Sequence, residues 1–314
     1  MGDWNMVKVE SLSRSFDKVH ALQGVTFHVA EGGITGLIGP NGAGKTTAMR
    51  ILSTLETADS GEVLINGINI ADSPELIVRE VGFMPDAFGN YNGLFVEEYL
   101  EFFARIYGLH GAKRKKVLDE VVEFTELGKI LDRPMETLSK GMRQRLGLAK
   151  TLLHDPKVLI LDEPAAGLDP RARIEFRELC VALAKRKKTL LISSHILSEL
   201  GEFCDSIIIL EHGQVVASGA LSEVQQRIHR GTHKVEVRFL TSDPAIEISL
   251  VELPYIQNVS VEGKRAMFEF NGSEEQLAGL AETLIQKGYR FSEFRCREER
   301  LEDVFMKLTK GGVY

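Results

Sequence analysis

The segment Gly39–Thr46, GPNGAGKT, constrains this chain more than any other stretch. It lies between the strand-like run GITGLI and a helix-forming run from Thr46 to Leu55, so a glycine-rich turn joins a buried strand to a helix. Glycines let backbone N–H groups converge on an anion, and the start of the helix favours negative charge at the same point. Gly39, Pro40, Asn41, Gly42, Ala43, Gly44, Lys45, Thr46 and Thr47 are therefore expected to cradle the phosphates of a nucleotide such as ATP. Lys45 reaches the β- and γ-phosphates as a mobile cation, and the Thr46 hydroxyl ligates Mg²⁺.

A phosphate cradle needs a second piece to hold metal and activate water. VLILDEP supplies it, because four apolar residues place Asp162 and Glu163 at the carboxyl end of a buried strand, where ligands of open parallel sheets collect. Asp162 is expected to hold Mg²⁺ through water and Glu163 to polarise the attacking water. A further strand, KTLLISSHI, carries His195 at its end, within expected reach of the γ-phosphate or that water. Phe16 sits in the turn between the first two strands, where it either stacks on adenine or fills the core.

The amphipathic segment ARIEFRELCVALAKR separates these two strands, so strand, helix and strand alternate as in a parallel α/β sheet. A helical subdomain is expected over about residues 91–153, with one long helical stretch from about Val96 through Leu131. Ser139 then heads a helix that runs to His154 before Asp155 and Pro156 stop it. SIIILEHG and QVVASG close this part, and the chain turns polar and basic beyond it. The expected organisation is a nucleotide-binding domain over 1–222, a linker over 223–232 and a small α+β domain over 233–314. In that last part the order strand, helix, strand, strand, helix, strand is that of a ferredoxin-like split βαβ module, followed by a final helix, LEDVFMKLTK. Only one copy of the phosphate motif occurs, so a function that needs two nucleotide sites must use two chains.

A length of 314 residues suits two domains, and a net charge of -7 gives no field for holding a polyanion, which disfavours nucleic acid as a partner. Cys180, Cys204 and Cys296 are widely spaced and odd in number, which fits a reducing cytosol rather than a disulfide framework or zinc site. No run reaches the ~18 apolar residues of a membrane span, and the start MGDWNMVKVE has no basic region followed by an apolar stretch. Membrane contact is therefore expected only through a partner.

LSKGMRQR, Leu138–Arg145, places Lys140, Arg143 and Arg145 at the amino end of a helix, where the dipole already disfavours cations. Either an anion arrives from outside, or these cations pair with nearby acids such as Glu126 or Glu136. GPNGAGKT, LSKGMRQR, VLILDEP, GLDP and SSH, in that order, resemble the nucleotide-binding subunit of an ATP-binding cassette (ABC) transporter over the first two thirds of the chain. The resemblance implies the ABC form of the P-loop NTPase fold, with an antiparallel β subdomain, a mixed, largely parallel core sheet and the helical subdomain. It implies a head-to-tail dimer of two copies of the chain. In that dimer Ser139 and Gly141 of one copy meet the γ-phosphate held by the other, and Gly167, Leu168 and Asp169 cross the same interface. LEDVFMKLT, Leu301–Thr309, resembles the end of ATPases serving ABC-2 type exporters. That implies integral membrane permease subunits as partners and a place at the inner face of the cytoplasmic membrane.

The chain departs from the family pattern at Asp86 in VGFMPDAF, where Gln is usual. By its place in that pattern Asp86 is expected to ligate Mg²⁺ and touch the attacking water, and to make the pocket more dependent on the metal. Lys140 and Met142 replace the commoner Gly and Gln. Two other functions stay open on sequence: a soluble cassette ATPase acting on DNA or ribosomes, and a regulatory subunit that hardly hydrolyses ATP.

Overall fold

The computed structural model describes residues 5–87, 89, 91–196, 200–201, 203–228 and 233–297. The chain forms two compact units, Met1–Leu221 and Ser222–Tyr314.

In the first unit β1 (Asn5–Phe16), β2 (Val19–Ala30), β4 (Ser60–Ile65) and β5 (Ile68–Asn69) make an antiparallel sheet of order β2-β1-β4-β5. A second sheet comprises β3 (Ile34–Ile38), β6 (Val81–Met84), β7 (Val158–Leu161), β8 (Thr189–Ser194), β9 (Ser206–Glu211) and β10 (Gln214–Ala220), in the order β10-β9-β3-β8-β7-β6. Its strands are parallel except β10, which runs antiparallel to β9. Strands β3, β7 and β8 are buried at every position, which explains why they read as apolar runs without alternation. Helix α1 (Lys45–Leu52) buries Ala48, Met49, Ile51 and Leu52 in a core shared with Val9 and Phe27 of one sheet and Ile160, Leu191 and Ile208 of the other. Each large side chain buried there contributes about 1.5–3 kcal/mol, so the phosphate turn stands on a rigid base.

The helices between β4 and β8 are α2 (Pro74–Glu80), α3 (Val96–Ile106), α4 (Gly111–Phe124), α5 (Lys140–Leu152) and α6 (Pro170–Lys185). The stretch expected as one helix through Leu131 is broken at Gly108. Its φ of +73° lets Gly108 N–H bond to the Arg105 carbonyl and Leu109 N–H to the Ala104 carbonyl, a Schellman stop. Helix α3 presents Val96, Tyr99, Leu100 and Ala104 inward, the three- and four-residue spacing of a single buried face.

The linker expected over 223–232 is helical in its described part, α7 (Leu221–Ile228), where Val224 is 2% exposed. In the second unit β11 (His233–Phe239), β12 (Ile256–Glu262), β13 (Arg265–Phe270) and β14 (Phe291–Arg297) form an antiparallel sheet of order β12-β13-β11-β14. Helices α8 (Ala245–Val251) and α9 (Glu274–Gln286) make the connections of a ferredoxin-like split βαβ module. Val235, Val237, Phe239, Ile246, Leu250, Phe268, Phe270 and Leu284 form a core of its own. The expected final helix LEDVFMKLTK lies outside the described residues.

Candidate nucleotide site

Four adjacent parallel strands deliver candidate site residues at their carboxyl ends. Strand β3 leads into Gly39, β6 into Asp86, β7 into Asp162 and Glu163, and β8 into His195. The turn after β3 is shaped by its neighbours, since a Cβ on Gly39 would collide with the Leu210 carbonyl of β9. One on Gly44, at φ +104°, would strike the Ala21 carbonyl of β2. Gly44 also precedes Lys45 as the N-cap of α1, so no side chain blocks the first N–H groups of that helix.

Lys45 is only 6% exposed, and its Nζ donates to the carbonyls of Gly39 at 2.7 Å and Pro40 at 3.2 Å, with Glu163 Oε1 3.4 Å away. Thr46 donates its hydroxyl to Asp162 Oδ2 at 2.8 Å. His195 Nδ1 lies 2.8 Å from Glu163 Oε2, and because a carboxylate only accepts, Nδ1 carries the proton and Nε2 is left for other partners. Glu163 is held in the left-handed region at φ +45°, a conformation costing on the order of 1–3 kcal/mol for a non-glycine residue.

Phe16, Asn41, Gly42, Ala43, Gly44, Lys45, Thr46, Thr47, Asp86, Asp162 and Glu163 line one cavity of about 400 Å³, together with Val19 and Ala21. Phe16 is 40% exposed with the Arg14 guanidinium 4.7 Å from its ring centre, so the core alternative is excluded and its ring faces the cavity. Among the described residues lining it, one cation, Lys45, meets three carboxylates. Hydroxyl and carboxylate oxygens from Thr46, Asp86 and Asp162 are the hard donors that Mg²⁺ prefers. The buried Glu163 Oε1 has no hydrogen-bond partner among the described residues, an acceptor suited to a water proton.

Ser139 and Gly141 stand elsewhere and line no part of this cavity. Ser139 is the N-cap of α5, accepting from Met142 N–H at 3.3 Å, and no acid occupies the first turn. Gly141 is packed so that a Cβ would lie 3.2 Å from Ala172 Cβ at the start of α6, and Lys140 lies across Gly167. Asp169 caps α6 through Ala172 N–H at 2.9 Å. Arg145 does take the acid-pairing role, bridging Glu126 at 2.9 Å and Glu175 at 2.8 Å, whereas Glu136 bonds instead to Gly93 N–H.

One residue that the sequence pattern did not single out is Ser193. Its hydroxyl donates to Asp162 Oδ1 at 2.6 Å and accepts from Glu163 N–H at 2.7 Å, at 1% exposure. The available signal was a pair of serines, Ser193 and Ser194, closing a buried strand just before His195.

The family model for ABC transporters matches residues 22–166, from β2 past the carboxyl end of β7. The Nod factor export ATP-binding protein I of a Rhizobium species is 34% identical over 96% of this chain and 96% of its own length. The chain belongs to the ATP-binding subunits of ABC transporters. The bacitracin transport ATP-binding protein of Bacillus licheniformis is 33% identical to this ABC subunit over 98% of each chain. A bacterial ABC transporter cassette solved as a dimer superposes with a TM-score of 0.63 at 26% identity, covering 69% of this chain and 99% of the other. The subunit is an ATP-binding ATPase, and its first unit has the ABC cassette fold.

Proposed function

We propose that this subunit drives an exporter by closing head-to-tail on a second copy, with MgATP held between the Gly39–Thr46 turn of one copy and Ser139 and Gly141 of the other. The observation that carries the reading is the separation of two half-sites: an equipped phosphate cavity, and a capped, acid-free helix start outside it. The dimeric cassette relative and the export proteins among the relatives support it. When bound, Mg²⁺ supplies charge neutralisation at the β- and γ-phosphates, with Thr46, Asp162 and Asp86 as the residues that would hold it. Lys45 neutralises the same phosphates, and Glu163 polarises the attacking water. Through Nδ1, His195 fixes one Glu163 oxygen; the other, ion-paired with Lys45 at 3.4 Å and without a hydrogen bond among the described residues, is the one that would accept from the water.

Membrane permeases would dock beside α3, where Met84, Pro85, Ala87, Tyr91, Tyr99 and Phe103 line a second hollow of about 260 Å³ with Gly147 and Lys150 of α5. No helix among the described residues is long and apolar enough to cross a membrane, which fits attachment to its cytoplasmic face through such partners. The test is Glu163→Gln in the full chain. We expect ATP binding to persist, phosphate release to fall at least about 100-fold, and size-exclusion chromatography with MgATP to reveal a trapped dimer. Normal turnover by this variant would remove Glu163 from its role; a monomer at saturating MgATP would remove the dimer.

A further inference from the structure

The ladder between β7 and β8 pairs Val158–Leu161 with Thr189–Ile192 and ends there. The next residues in register are Asp162 and Ser193, and at that step a side chain takes over from the backbone. Ser193 Oγ accepts the Glu163 N–H that a strand carbonyl would otherwise receive, while its proton goes to Asp162 Oδ1. Thr46 already donates to the other Asp162 oxygen. One buried hydroxyl therefore touches both the carboxylate assigned to the metal and the backbone of the carboxylate assigned to water. It does so where Glu163 turns left-handed.

We infer that Ser193 is a positioning residue that couples metal binding to alignment of the water-activating carboxylate. It orients the Asp162 carboxylate so that its remaining lone pairs face Thr46, and it pins the Glu163 backbone in the turn that aims the side chain at Lys45 and His195. Such supporting hydrogen bonds are worth 10–100-fold in metal affinity or activity when removed. The inference rests on the ATPase reading of the cavity and adds a residue that does not itself touch nucleotide.

Ser193→Ala leaves the Glu163 N–H buried and unmet and frees Asp162 to rotate. The full-length variant is expected to show about a 10–100-fold lower kcat and a Mg²⁺ half-saturation raised about tenfold, with KM for MgATP within about threefold of the parent. The same upward Mg²⁺ shift should appear in equilibrium binding of a fluorescent ATP analogue, which needs no turnover. Ser193→Thr keeps the hydroxyl and should restore most of both losses. Glu163→Gln should lower kcat with a much smaller shift in Mg²⁺ half-saturation than Ser193→Ala, separating a positioning fault from loss of the carboxylate.

If Ser193→Ala matches the parent in kcat and in Mg²⁺ half-saturation, the coupling is overturned and the ATPase reading stands. An equal loss in Ser193→Thr with a lowered melting temperature would also overturn it, reducing Ser193 to a packing role. A parent chain that binds no nucleotide with Mg²⁺ present would instead overturn the reading of the cavity.

Discussion

At the scale of single residues, the site is a contest between one buried lysine and three carboxylates. Asp86, Asp162 and Glu163 face the cavity that Lys45 serves, so a triphosphate without metal enters against net negative charge. Asp86→Gln removes one of those charges. It should tighten metal-free binding of a fluorescent ATP analogue by roughly tenfold, equivalent to ~1.4 kcal/mol, while changing binding with Mg²⁺ much less. Titrations in EDTA and in Mg²⁺ check this, and an unchanged ratio between them would show that Asp86 does not set metal dependence. Lys45, Thr46, Asp162 and Glu163 were legible from sequence because their chemistry is fixed by positions within short local motifs. Ser193 was not, because its role depends on the register of two strands whose pairing residues lie 31 positions apart. Phe16 was ambiguous for a related reason: only the placed turn decides between ring stacking and core packing.

Elements were legible where a periodic face or an unbroken apolar run extends far enough to be read. Helix α5 and strands β3, β7 and β8 emerged at nearly their observed limits, whereas the break between α3 and α4 turns on the left-handed backbone at Gly108. Strand β5 and helix α2, of two and seven residues, have neither an unbroken apolar run nor enough turns to announce themselves. The carboxyl end of α5 has a consequence of its own. His154 stacks on Tyr107 with ring centres 4.4 Å apart and its Nε2 meets the Val81 carbonyl at 3.0 Å, while Nδ1 is buried without a partner among the described residues. Burial pushes its pKa below the usual 6.5, with Lys150 and Lys188 adding to the effect and Val81 and Asp155 opposing it. A lowered folded value means the unfolded chain takes up the proton first. Stability should therefore be complete above about pH 6.5 and fall as pH drops from there toward the folded value. Melting temperatures at pH 7.5 and 5.5 should differ less for His154→Gln than for the parent.

For the molecule as a whole, the two units bury separate sets of apolar side chains, one around Phe27, Met49 and Ile160 and the other around Phe239, Phe268 and Phe270. Calorimetry should resolve two unfolding transitions, of which MgATP raises only the first unit's. A single transition, moved as one by nucleotide, would show that the units unfold together. The order of strands and helices disclosed the parallel sheet of the first unit and the split βαβ module of the second, because such orders admit few sheet topologies, whereas the antiparallel β subdomain was implied only by the family resemblance. Separate cores also bear on how such a chain changes over generations. A repacking substitution in one core leaves the other without any need to compensate, so the carboxyl-terminal module can diverge, or be exchanged for another, while the residues that bind nucleotide are inherited unaltered.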